Sequence, residues 1–219
     1  MKFALITEGV SEHRIIKHIL AKYFKELGPE INQIQPKLID DRQAIIGGWN
    51  EVLKYCERNE LNDILIENDF LVIQIDTDQS QTSPFDINHF NPEGQLKTPE
   101  QLYADVILKL QSLILPEILT KHRDNILFAV CIHTIECWLL PIYYNDSHKT
   151  KTTGCIDALN IALARQNKPV IPIKDKNGFN GIKAYNNVLQ HLKGKTDIIE
   201  AAQHNFGFKS FVNSLGNLN

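Results

Sequence analysis

The chain has 219 residues, 43% of them hydrophobic and 22% charged, with a formal net charge of −3. That composition is of a globular protein with length for one α/β domain, a real core and a smaller appended part. It excludes a membrane protein, because no apolar run approaches the roughly 20 residues of a spanning helix, and it excludes a globally basic nucleic-acid binder.

Residues 2–7 read as a first strand, because the apolar run Phe3–Ile6 stops abruptly at Glu8-Gly9. Residues 11–27 place Ile15, Ile16, Ile19, Leu20, Tyr23 and Phe24 at helical spacing, with Ser11 as the expected N-cap and Gly28-Pro29 as the stop. "INQIQPKLI" predicts a second strand, near an edge because of Pro36. "GWNEVLKYCERNEL" predicts a helix.

"DFLVIQID", residues 69–76, is nearly all apolar and ends in acid, as does a strand covered by helices on both faces. A polar loop from Gln79 to Thr98 follows, then a long helix from Pro99 expected to bend near Pro116, and a fourth buried strand in "NILFAVCI". "TIECWLLPIYY" predicts a helix beginning near Glu136, and further helices are expected over residues 153–167, 178–193 and 196–204. Alternating strands and helices over the first 140 residues imply an α/β fold with a mostly parallel four-stranded sheet. The domain reading is an α/β domain over residues 1–141 and a helical C-terminal extension over 142–219.

Charge is unevenly spread. Residues 1–139 carry 13 Lys and Arg against 21 Asp and Glu, whereas residues 140–219 carry 10 against 5. The basic part could meet a polyanion or be ordinary solvated surface. Cys56, Cys131, Cys137 and Cys155 form no CxxC, which predicts free thiols in a reducing compartment. Cys131, His133 and Cys137 offer three zinc ligands, but no fourth follows with finger-like spacing. Glu8 and Glu12 interrupt any secretory apolar core, so a cytoplasmic location is expected.

Parallel α/β sheets build their sites at the carboxyl ends of strands. Three strands here end in acid: Glu8, then Asp76 and Asp78, then Glu136 just beyond the fourth. Gathered carboxylates need a counter-charge, and an all-oxygen donor set favours Mg²⁺ or Mn²⁺. Bland readings stand beside this one. Glu8, Glu12 and Glu136 also suit helix N-termini, and Asp76 and Asp78 suit a turn. Trp138 and His133 suit a core, and Lys174, Lys176 and Lys183 suit a solvated surface.

"ALITEGVSE" followed by "LVIQIDTDQ" resembles the TOPRIM domain of topoisomerases, bacterial primases and OLD-family nucleases. The signature is Glu-Gly at the end of one strand and Asp-x-Asp at the end of a later one. "IECWLLP" looks like a motif of small bacterial TOPRIM-like proteins, some linked to phage defence. The resemblance covers residues 1–141. It implies Glu8 as metal ligand or general acid/base, Asp76 and Asp78 as metal ligands, and Glu12 as a ligand of a second metal or a support behind the ligands of the first; Glu136, the acid beyond the fourth strand, is a further candidate for the metal set. It also implies a lysine that stabilises developing charge, for which Lys183 and Lys174 are candidates. The implied activity is Mg²⁺- or Mn²⁺-dependent phosphoryl transfer on nucleic acid, DNA or RNA, most simply as a nuclease. No ATPase domain accompanies it, so a separate ATPase or other protein partner is a second expectation. Two alternatives stay open: a non-catalytic TOPRIM-like binding or regulatory subunit, and a haloacid-dehalogenase-type phosphatase with Asp76 as nucleophile and Asp78 as acid/base.

Overall fold

The computed structural model describes residues 1–39, 42–43 and 47–218. Its centre is a four-stranded, all-parallel sheet in the order β2-β1-β5-β6. The strands are β1 (Lys2–Ile6), β2 (Glu30–Gln35), β5 (Phe70–Asp76) and β6 (Ile126–Cys131); β3 (Leu38–Ile39) and β4 (Arg42–Gln43) form a separate antiparallel pair. The helices are α1 (Val10–Tyr23), α2 (Trp49–Cys56), α3 (Glu60–Glu67), α4 (Pro99–Leu113), α5 (Pro116–His122), α6 (Cys155–Arg165), α7 (Phe179–Leu189), α8 (Lys195–Ala202) and α9 (Phe206–Gly216). Among the described residues, no helix is long and apolar enough to cross a membrane.

Strand alternation divides the core into two layers. Phe3 and Leu5 of β1, Val72 of β5 and Leu127 and Ala129 of β6 pack with α1 and α6–α9. Ala4 and Ile6, Leu71, Ile73 and Ile75, and Ile126 and Val130 pack with α2–α5. The C-terminal helices therefore share one face of the sheet with α1. Trp138 is fully buried there, stacked on Phe208 with ring centroids 4.6 Å apart, so it is core and not an exposed platform.

Several local expectations are corrected. The first helix ends at Tyr23, followed by a 3-10 turn Lys25–Leu27, and its N-cap is Gly9 rather than Ser11. The helix expected over "GWNEVLKYCERNEL" ends at Cys56, and a second one starts at Glu60. The helix expected to bend near Pro116 is two helices, because Pro disfavours a helical conformation in the residue before it and Leu115 is non-helical, with ψ of 134°. "IECWLLPI" is a 3-10 helix, Ile135–Ile142, and the last helix, α9, lies beyond those expected. The sequence placed Pro36 within an edge strand; β2 is the edge and stops at Gln35, one residue before it.

The thiol expectation is also corrected. Cys137 and Cys155 form a disulfide, 18 residues apart in sequence, that ties the 3-10 helix to α6. Only Cys56 and Cys131 are free, both buried. Cys137 thus has no thiolate to offer zinc.

Candidate functional site

The site begins with the parity of β5. Val72 faces the layer of α1 and α6–α9, so Gln74 and Asp76, two and four residues on, face it too. Gln74 is fully buried and Asp76 is 5% exposed. Buried polar groups need partners, and these have them. Gln74 Nε2 donates to Asp76 Oδ1 at 2.9 Å, while Gln74 Oε1 accepts from the Glu8 backbone N–H at 3.1 Å. The Asp76 backbone N–H donates to Glu8 Oε1 at 2.6 Å. One glutamine therefore locks the ends of β1 and β5 together.

Beyond β1 the chain turns at Gly9 and enters α1. A Cβ on Gly9 would lie 2.5 Å from Glu12 Oε2, so glycine lets the Glu12 carboxylate fold back over the turn. Glu12, in the first helical turn, is only 2% exposed. Ser11 Oγ stands 3.0 Å from Glu12 Oε2, and the Ser11 N–H donates to Asn177 Oδ1 at 3.1 Å.

The counter-charge comes from the far end of the chain. Lys176 Nζ lies 2.7 Å from Glu12 Oε1 and 3.6 Å from Glu136 Oε1. The Tyr185 hydroxyl of α7 donates to the same Glu136 oxygen at 2.5 Å. Lys176 is seated by close backbone packing: a Cβ on Gly181 would lie 2.0 Å from the Lys176 carbonyl oxygen. The resulting cleft is open to solvent, about 410 Å³ in volume, and lined by Glu8, Gly9, Glu12, Gly47, Gly48, Lys176 and Asn177. A slightly larger groove of about 460 Å³, between β2 and α2–α3, contains none of these carboxylates.

The electrostatics follow from burial. Burial pushes Glu8 up to about 8, with Glu12 and Asp78 repelling it further, against the Asp76 N–H and Lys176. Burial, then the charges of Glu8 and Glu12, hold Asp76 well above the usual carboxylate range. Burial also pushes at Glu136, but Lys176 and the Tyr185 and Thr134 hydroxyls bring it below its ordinary value. Lys176 is held strongly in its charged form: burial opposes the charge, and Glu12, Glu136 and Asp76 more than offset it.

Of the residues singled out in the sequence, Glu8, Glu12, Asp76 and Glu136 converge here, and Asp78 is exposed at the rim. Lys183 does not join them; it is exposed on the outer face of α7. The lysine among the carboxylates is Lys176, which the sequence suggested was solvated surface. His133 is not a core residue: it follows β6 half-buried, with φ of 62°, and its backbone groups bond to Thr77 and Asp78. Sequence reasoning missed Gln74, Asn177 and Tyr185. Only Gln74 left a signal, as an amide inside an apolar strand.

The chain matches no protein-family profile, no curated protein and no solved structure. The fold is stated from its own coordinates: α/β, with an all-parallel four-stranded sheet, flanking helices and a helical C-terminal part.

Among the described residues, no group of three or more His, Cys, Asp or Glu side chains is arranged to hold a metal ion. The five-carboxylate set expected from the sequence is divided, because Lys176 already serves Glu12 and Glu136. What remains is Glu8, Asp76 and the rim carboxylate Asp78. All are hard oxygen donors, and the first two have no lysine or arginine ion pair among the described residues. That donor set suits Mg²⁺ or Mn²⁺ in kind.

Proposed function

We propose that this cleft carries out Mg²⁺- or Mn²⁺-dependent phosphoryl transfer on nucleic acid, most simply hydrolysis of a phosphodiester, as in a TOPRIM-type nuclease. The observation that supports it is the pair Glu8 and Asp76, two carboxylates at adjacent strand ends, both raised first by burial, with Glu8 lining an open cleft and Asp76 buried directly behind it. Glu8 and Asp76 would supply the ion's protein oxygens, and the exposed Asp78, whose charge reaches Glu8, would add to the negative field that draws it in. When bound, it would supply Lewis-acid charge at the phosphate and lower the pKa of water.

The chain's own residues do the rest. Gln74 fixes the spacing of Glu8 and Asp76 through one amide. Lys176 sits at the cleft wall, where its cation can meet the charge that develops on a phosphate. Glu12 and Glu136 keep Lys176 charged and positioned, and Tyr185 braces Glu136. A role in phage defence rests on the sequence resemblance alone.

The test pairs Mn²⁺ calorimetry with cleavage assays on DNA and RNA. Wild type should bind the ion and cleave, and Asp76→Asn/Asp78→Asn should do neither while staying folded. Folded wild type that neither binds nor cleaves overturns the reading.

A second reading is favoured by one observation. Lys176 already neutralises two of the carboxylates, as expected of a non-catalytic module in which the network is structural and the rim meets a partner protein. In that case Lys176→Met would change stability and leave no activity to lose. The phosphatase alternative gains little, because its nucleophile, Asp76, is 5% exposed and held by Gln74.

A further inference from the structure

The cleft has a basic and aromatic approach that the site itself does not use. Residues 158–196 contain seven Lys and Arg and a single acid, Asp175. Within that stretch the chain leaves the cleft at Lys176 and Asn177 and enters α7 at Phe179. Phe179 is 81% exposed, and nearby Ile173 is 63% exposed. Along α7, Phe179, Lys183 and Asn186 are all exposed, at the i, i+4, i+7 spacing of one helical face. Arg14 of α1 meets the far end of this stripe, donating from Nη1 to Asn186 Oδ1 at 3.3 Å. Lys174 is exposed on the approach to the cleft.

An exposed ring means little by itself. Here it is the first residue of a helix whose seating beside Lys176 is fixed by Gly181, so its position relative to the cleft is set. The next exposed residue on its face, one turn away, is a lysine. An aromatic face followed by cations is the arrangement that holds single-stranded nucleic acid, with a base on the ring and phosphates on the lysines. A duplex offers no free base face to such a ring. A protein partner would call for a continuous apolar patch, and on this helix face the exposed residue one turn from the ring is Lys183.

We propose that the outward face of α7, with Phe179 as stacking platform and Lys183 and Lys174 as phosphate contacts, binds single-stranded nucleic acid and leads it to the cleft. The binding claim stands on this surface; the claim that the strand is led to a reaction rests on the function proposed above. Lys183 is then a substrate-binding residue, outside the carboxylate cluster.

The experiment is fluorescence anisotropy with labelled oligothymidylate, oligouridylate and a mixed-sequence duplex, in chelator so that no divalent ion contributes. Wild type should bind single strands more tightly than duplex, and the two single-stranded probes separate DNA from RNA. Phe179→Ala should weaken binding at least fivefold. Lys183→Ala should weaken it and reduce its salt dependence. Lys121→Ala, an exposed lysine of α5 on the other side of the sheet, should bind as wild type does. No binding by wild type, a preference for duplex, or wild-type affinity in Phe179→Ala/Lys183→Ala overturns the proposal. Phe179-dependent binding with no Mn²⁺-dependent cleavage would keep this surface and remove the nuclease reading. Cleavage that is indifferent to Phe179 and Lys183 would do the reverse.

Discussion

Lys176 Nζ and Glu12 Oε1 stand 2.7 Å apart although 164 residues separate them in the chain. The pair joins the first turn of α1 to the turn that precedes α7, and Glu136 completes the join from beyond the end of β6. The basic and acidic parts of the sequence therefore meet at one place, beside the proposed reaction site.

Removing the lysine leaves Glu12 buried without its cation. Breaking a buried pair on one side costs ~3–5 kcal/mol, and the partial exposure of Lys176 lowers that figure. Lys176→Met should therefore destabilise the protein by about 2–4 kcal/mol in urea unfolding. Adding Glu12→Gln should recover part of the loss. If Lys176→Met is as stable as wild type, the network carries no net structural energy.

Gly181→Ala separates packing from propensity. On helix propensity alone, alanine should stabilise an exposed helix by roughly 0.5–1 kcal/mol. Here the added Cβ would lie 2.0 Å from a backbone oxygen, which cannot rotate away. The variant should lose about 1–3 kcal/mol and should weaken the hold of Lys176 on Glu12. A more stable Gly181→Ala would contradict the close packing.

The pH dependence follows from Glu8. Its folded value is about 8 against an ordinary 4.5, so the folded state holds a proton that the unfolded state gives up. That contribution is complete below pH 4.5 and disappears as pH rises through 8. Asp76 acts in the same direction. Glu136, lowered on folding, acts oppositely: its contribution is present above its unfolded value and lost as pH falls through the folded one. Between pH 5 and 8, wild type should lose stability relative to Glu8→Gln by up to about 1.4 kcal/mol per pH unit. Parallel thermal-melting curves for the two proteins across that range would refute the raised value.

The disulfide predicts a thiol count. Denatured but unreduced protein should titrate two thiols, Cys56 and Cys131, rather than four. Cys137→Ser/Cys155→Ser should lower stability by about 2–4 kcal/mol without reductant. In excess dithiol the variant and wild type should converge. Four titratable thiols would show that the pair does not form.

Part of this was legible in the sequence and part was not. The apolar runs at Phe3–Ile6 and Phe70–Ile75, each ending in acid, are local patterns, and both are strands of one parallel sheet with Glu8 and Asp76 at adjacent ends. Period and end-point are properties of a few consecutive residues, so a single sequence carries them. Helix boundaries were less legible. Gly9 stands at the N-cap of α1 and Ser11 lies inside the helix, its hydroxyl held by neighbouring Glu12 and by Asn177, a partner that only folding provides.

By itself, then, the sequence determined the α/β class, the buried parallel strands and the placement of acids at their ends. Tertiary structure alone decided which cation answers those acids. It chose Lys176 over Lys183 because they lie on different sides of the packing contact at Gly181: Lys176 is on the turn pressed toward the cleft, Lys183 on the outer face of α7. It likewise paired Cys137 with Cys155 and set Tyr185 on Glu136. A lysine's role depends on the charges within a few ångströms of its amine, and those come from residues up to 164 positions away.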